Sequence, residues 1–357
     1  MKKIKWIFLL MLVGFVVISC NHSSDNEEDP VVEETFKAGD IALEKIKIGN
    51  TEYEKTEQVY VTGPDGIIIA DSDPSFIPAD APDEFKGVFR VDRTVKLSPF
   101  IMSKYEVTKE LYYAVMNGNP YDINPSPTND ESEPDGTERD IYCPVQGMDW
   151  YDAIYFCNEL TKKTMGESEQ VYNIQNIVVP DGRSNITSAD ITIDMTKKGY
   201  RLPTEAEWEF AARGGDQSKP DWNYLFAGHS GAEGVEYNAE NNGGADTVSW
   251  HFYNSNDKTH EVGLKAANAL GIFDLSGNVD EWCYDGYSFD GKITGGDNGN
   301  SVVIDPVGPI NDGTSVVRGG YSTEDKKKCA SCSVTYRSFN GNTKRGTQGI
   351  RLVRSAQ

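Results

Sequence analysis

Cys329 and Cys332, in the run Cys329-Ala330-Ser331-Cys332, are the residues of this chain whose type and spacing point most directly to chemistry. A pair three residues apart can bind copper(I), hold zinc with further ligands, or cycle between dithiol and disulfide, because a thiolate is both a soft ligand and a nucleophile. Lys326-Lys327-Lys328 stands beside the pair, and such charge is expected to lower a thiol pKa. The competing reading is a surface disulfide or a buried structural thiol. Cys143, Cys157 and Cys283 bring the cysteines after Cys20 to five, so in an oxidising compartment at least one thiol stays unpaired or pairs between molecules. The four histidines, His22, His229, His251 and His260, include no pair at the spacing of a helical two-histidine metal site. A multi-histidine iron or zinc enzyme is therefore disfavoured.

The N-terminus carries an address. Lys2, Lys3 and Lys5 precede an apolar stretch from Trp6 to Ile18, too short to span a bilayer comfortably, which reads as a secretory signal. Val17-Ile18-Ser19-Cys20 resembles a bacterial lipobox, so Cys20 is the expected lipid attachment site and the new N-terminus after cleavage. The polar, acidic run from Asn21 to Glu34 cannot bury enough apolar area to offset its ordering entropy and reads as a flexible tether. It also resembles the acidic export signals of Bacteroidetes surface lipoproteins. The expected location is the outer membrane, facing the periplasm or the cell surface, with the lipid as the sole membrane contact.

The elements that must position the thiols belong to a chain of 357 residues, 38% of them hydrophobic, with 18 Tyr, 14 Phe and 6 Trp. Such a chain folds around a sizeable core. Its net charge of -22 repels nucleic-acid backbones and anionic bilayers, which argues against nucleic acid as a partner. Three helix starts are legible. Thr108 caps a segment with Leu111, Tyr112 and Val115 on one face and Gly118 as its stop. Asp149 precedes Trp150, Ala153, Ile154, Cys157 and Leu160 at helical spacing. Thr204-Glu205-Ala206-Glu207 is a capping box, closed downstream by Gly214-Gly215. Beyond Gly215 short apolar runs alternate with Gly, Asn and Asp clusters, without βαβ alternation or a fixed repeat. The fold class is α+β, rich in irregular loops. The expected organisation is a signal peptide over 1–19, the tether over 20–35, a short strand extension over 36–60, and one domain over 60–355.

Several segments, in order, resemble the formylglycine-generating enzyme, or sulfatase-modifying factor, family: Leu97 to Thr108, Pro144 to Ala153, Gly199 to Glu209, Asn268 to Trp282, Val317-Arg318-Gly319-Gly320 and Gly349 to Val353. The resemblance implies a single domain related to C-type lectin folds. It also implies an activity for the family's oxidases, in which two cysteines after a Gly-Gly-Ser turn bind Cu(I) and oxygen converts a sulfatase cysteine to formylglycine. Here Tyr321 stands where the family has Ser. Counting back from Arg337 puts the first thiolate position on Glu324, a hard oxygen ligand, and the second on Cys329, the catalytic residue if the activity is retained. Asp280 replaces the family's active-site Trp, and Cys332 to Arg337 looks like the Cys-x-Val-x-Tyr-Arg element of non-oxidase relatives.

The resemblance further implies calcium. One site falls on the carboxylates of Asp274 and Glu281 with the carbonyls of Gly277 and Val279, and a second on Asn238, Ala239, Asn254 and Asn256, hard oxygen donors at tight turns. Copper at Cys329 and Cys332 is the alternative cofactor. These readings leave an envelope lipoprotein whose calcium-stiffened domain binds a protein or glycan, with a sulfatase-activating oxidase acting on a sulfatase peptide as the runner-up. Tyr237, Trp250, Phe252 and Tyr253 are the aromatics available to stack on a sugar.

Overall fold

All three helix starts are built as the capping residues require. In α1 (Lys109–Met116) the Thr108 side chain accepts from the Leu111 backbone N–H, and the buried face carries Leu111, Tyr112, Val115 and Met116. The second helix, α2 (Trp150–Thr164), opens on a reciprocal box between Asp149 and Asp152, and α3 (Glu205–Ala212) on one between Thr204 and Glu207. The computed structural model describes residues 41–42, 45–62, 67–70, 74–90, 94–118, 139–180, 185–288, 302–308, 313–321, 328–343 and 346–356. The expected signal, the lipobox at Cys20, the tether and Glu324 lie outside them. Phe36–Gln357 forms one contiguous unit.

The strands are short and come from distant parts of the chain. One antiparallel sheet runs Ile41–Ala42, Gln58–Val61, Phe100–Ser103, Val353–Ser355, so the expected strand extension and the C-terminus share a sheet with the body of the domain. A second runs Ser338–Gly341, Thr314–Arg318, Asp280–Gly286, Gln348–Gly349. Its strand Asp280–Gly286 is buried along its whole length. Because alternate side chains leave opposite faces, Trp282 and Tyr284 pack into the core around α1 and α2, while Cys283 packs into the core that holds Trp208, Phe210, Trp222 and Leu275. Two faces buried at once explain why this segment shows no polar alternation.

Helix α3 is buried on every side, including its three glutamates. Each is met by arginine. Glu205 receives Arg337 Nε and Nη2 at 2.7 and 2.8 Å and Arg318 Nη1 at 3.1 Å. Glu207 takes Arg201 Nη1 and Nη2 at 2.6 and 2.7 Å while its Oε2 also accepts the Thr204 N–H. Glu209 binds Arg318 at 2.8 Å, Arg213 at 3.2 Å and the Val88 N–H at 2.8 Å. Glu207→Ala strands a buried guanidinium and loses the box as well, so it is expected to destabilise by about 3–5 kcal/mol. Thr204→Ala removes a cap alone and is expected to cost about 1 kcal/mol. Urea unfolding of the two variants side by side checks the order, and equal losses would contradict it.

Candidate functional site

The thiol pair stands on a 3-10 turn, Lys328–Cys332, pinned from two directions. The Cys329 N–H donates to the Glu240 carbonyl at 3.2 Å. The Gly319–Gly320 turn lies against the other side: a Cβ on Gly320, whose φ is +69°, would sit 2.7 Å from the Ser331 carbonyl oxygen. Glycine is required there both for the left-handed backbone and for the close approach. Both sulfurs are fully buried, and all five described cysteines are free thiols. Burial pushes the Cys329 thiol up, and burial together with the neighbouring Cys329 pushes Cys332 up strongly. The expectation of a lysine-lowered thiol pKa is thus corrected, because desolvation disfavours the thiolate here.

Sequence reasoning missed the residue that faces Cys329. His251, wholly buried, places Nδ1 3.2 Å from Cys329 Sγ, while its Nε2 meets Asp246 Oδ1 at 2.9 Å. Burial lowers the His251 pKa more than Asp246 raises it. Asn254 braces the pair, donating to Asp246 Oδ1 and to the Ser249 carbonyl and accepting from the His251 N–H at 2.8 Å. Asn254 was expected as a calcium ligand, and these three contacts put its amide to another use. Asn238 and Asn256 are exposed on their turns and Ala239 is half-buried. Nothing in the spacing announces the thiol–imidazole contact, since His251 and Cys329 are 78 residues apart.

The segment from Asp274 to Glu281 is a tight turn, with positive φ at Asp274, Gly277 and Asn278. Gly277 has no room for a side chain, because a Cβ would sit 2.1 Å from the Trp250 carbonyl oxygen, and its N–H donates to the Gly319 carbonyl at 2.7 Å. The turn therefore touches both the His251 segment and the Gly-Gly turn. Glu281, expected to offer a carboxylate to calcium, is engaged by an arginine and a tryptophan. Its oxygens accept from Arg351 Nε and Nη2 at 2.6–3.1 Å and from Trp208 Nε1 at 2.6 Å, which uses the lone pairs of both. Asp274 is different: Oδ2 accepts from the Gly263 N–H, whereas Oδ1 is buried with no hydrogen-bond partner. Burial pushes its pKa to about 6. Glu106, another residue the sequence reading passed over, holds the turn from below through Asn278 Nδ2 and the Val279 N–H, and burial with Asp274 and Glu281 nearby raises its pKa well above the carboxylate range. Of the two carboxylates expected to hold calcium, Asp274 is the one with a buried oxygen left without a hydrogen-bond partner. Among the described residues no group of three or more His, Cys, Asp or Glu side chains is arranged to hold a metal ion.

Asp280, at the position of the family's Trp, is buried near Cys332 and accepts from Thr347 Oγ1 at 3.3 Å. Of the four aromatics, Phe252 and Tyr253 are exposed, at 41% and 43%, and meet edge to face. Trp250 stacks on His260 under Lys265, and Tyr237 packs against Phe85.

Three comparisons bear on this arrangement. The chain is 36% identical over 204 residues to the chaperone protein LppX of Paenibacillus barcinonensis, a match covering 55% of this chain and 66% of that relative's length. It is 28% identical over 265 residues to the formylglycine-generating enzyme of Thermomonospora curvata, covering 70% of this chain and 79% of the relative. The fold is similar to the solved structure of Treponema denticola variable protein 1, with a TM-score of 0.59 and 28% identity over 87% of this chain and 97% of that one. With the sulfatase-modifying factor enzyme 1-like domain matched over residues 30–356, the chain belongs to that family of α+β, loop-rich domains.

Proposed function

We propose that this chain is a non-oxidase member of its family, a binding module that engages a protein partner at the cell envelope. The observation that carries the reading is the surroundings of Cys329. The family's copper chemistry needs two thiolates facing an oxygen-binding pocket. Here Cys329 is a buried thiol directed at His251, Asp280 replaces a Trp, and Tyr321 replaces a Ser. Cys332 is the remaining sulfur on the turn, and its burial opposes the deprotonation that a copper ligand requires. The relative named a chaperone favours a protein partner over a glycan, and Phe252 with Tyr253 supplies an exposed aromatic contact of the kind partners seat. The runner-up, a formylglycine-generating oxidase, rests on the retained Cys329 and on the relative that bears that name.

Copper-loaded protein incubated in air with a Cys-x-Pro-x-Arg peptide is expected to leave the cysteine unchanged by mass spectrometry. An aldehyde that forms with wild type and vanishes with Cys329→Ser would replace the binding reading by the oxidase.

The envelope location rests on the lipobox. Cys20→Ser is expected to move the protein from the detergent phase to the aqueous phase, and continued partitioning with membranes would place the anchor elsewhere.

Calcium enters the proposal through Asp274, whose Oδ1 is buried with no hydrogen-bond partner. Held by Asp274 with the Gly277 and Val279 carbonyls, the ion would neutralise a buried charge and stiffen the turn. Chelation is expected to lower the melting temperature of wild type, since a ligand bound to the native state alone stabilises by mass action. Asp274→Asn is expected to abolish that difference. A wild-type transition unmoved by chelator, with no calcium by elemental analysis, would remove the ion from the reading.

A further inference from the structure

We propose that Cys329 and Cys332 form a peroxide-oxidisable dithiol, in which the His251 imidazole takes the Cys329 proton and Asp246 holds the ring in the tautomer that can do so. The inference goes beyond the binding-module reading: it takes the two sulfurs that are also the copper candidates and adds His251 and Asp246, which a dithiol on Cu(I) does not need.

Two independent contacts set the tautomer. Asp246 Oδ1 lies 2.9 Å from Nε2, so that nitrogen carries the proton, and the Tyr253 backbone N–H donates to Nδ1 at 3.3 Å, so that nitrogen is bare. Cys329 Sγ is 3.2 Å from the bare nitrogen, within the reach of a sulfur hydrogen bond. Burial pushes the thiol up and the imidazole down, so both are neutral at rest and the nucleophile needs a base in contact with it. His251 is that base.

The turn supplies the second sulfur. In a 3-10 helix a step of three residues rises about 6 Å and returns to the same face. Cys329 and Cys332 are therefore eclipsed, with a Cα separation in the range of about 4.4–6.8 Å that disulfides span. Both sulfurs are shielded, which favours an oxidant of the size of water, and hydrogen peroxide meets that limit. Asp246, whose side chain is 56% exposed, connects His251 with solvent.

The chemistry balances. His251 Nδ1 accepts the Cys329 proton, and the thiolate attacks one peroxide oxygen. The O–O bond breaks, hydroxide leaves and takes the imidazolium proton, and water and the Cys329 sulfenic acid remain. Cys332 sulfur then attacks Cys329 Sγ, the S–O bond breaks, and the hydroxyl departs as water with the Cys332 proton. Two thiols lose two electrons to one peroxide, giving one disulfide and two waters. Cys157 and Cys283 are buried core thiols and serve as internal controls.

The test treats the reduced full chain with hydrogen peroxide in chelator-containing buffer, followed by alkylation and peptide mass spectrometry. A Cys329–Cys332 disulfide is expected while Cys143, Cys157 and Cys283 stay reduced. Cys332→Ser is expected to accumulate a sulfenic acid at Cys329 that dimedone traps. His251→Gln is expected to slow oxidation at least tenfold with an unchanged far-ultraviolet spectrum. Imidazole 15N shifts are expected to report a protonated Nε2 in wild type and a tautomer mixture in Asp246→Ala, a signature that a purely structural carboxylate would not move. Oxidation spread evenly over the five thiols, a reduced pair in wild type, or a wild-type rate in folded His251→Gln would overturn the proposal. Should His251→Gln fail to fold, the wild-type disulfide map and the Cys329 dimedone adduct decide.

Discussion

Everything else in this domain depends on keeping three carboxylates buried in α3. A helix whose Glu205, Glu207 and Glu209 are all shielded from water is tenable only if each negative charge meets a positive one with good geometry, since an unpaired buried charge costs several kcal/mol. The arginines that satisfy this come from the segment just before the helix (Arg201), from its own C-cap (Arg213), from the strand Thr314–Arg318, and from the segment after the thiol turn (Arg337). The helix thus ties together stretches of chain that lie far apart in the sequence.

That network reaches the site through the backbone. Arg318, fixed between Glu205 and Glu209, is followed at once by Gly319 and Gly320, and these glycines are the contact between the Asp274–Glu281 turn and the thiol turn. On the other flank Glu281 joins Arg351 and Trp208, so the turn that begins at Asp274 ends in the same kind of buried pair. The Gly277 N–H binds Gly319 and the Asn278 N–H binds Trp250, one residue before His251. Irregular loops become a rigid scaffold because their glycines pack without side chains and their charges are paired.

The ion network, the capped helices and the glycine turns are framework, and a framework can host different sites. What sits at the family's reactive position is a thiol shielded from water and hydrogen-bonded to an imidazole, a setting with different demands from soft-metal oxidation. Asp274 differs from Glu281 in that its Oδ1 is buried with no hydrogen-bond partner.

Local rules made much of the fold legible. Thr108, Asp149 and Thr204 announce their helices because capping is decided within four residues, and the lack of helical periodicity beyond Gly215 follows from composition within short windows. Motif order carried the family assignment, and with it the place of the Asp274–Glu281 turn and of Cys329. Contacts between distant segments were another matter. The sequence offers Glu281 and Arg351 as charges of opposite sign 70 residues apart, and folding makes them a buried pair. Lys326 to Lys328 suggested an activated thiol, but burial decides the pKa, and burial is a property of the packed chain. His251 and Asp246 lie in a segment with no distinguishing pattern, Asp246 on the 3-10 turn Ala245–Thr247; only the packing of that segment on the Lys328–Cys332 turn brings an imidazole to a sulfur, because such contacts are fixed by tertiary geometry and leave no period in the sequence.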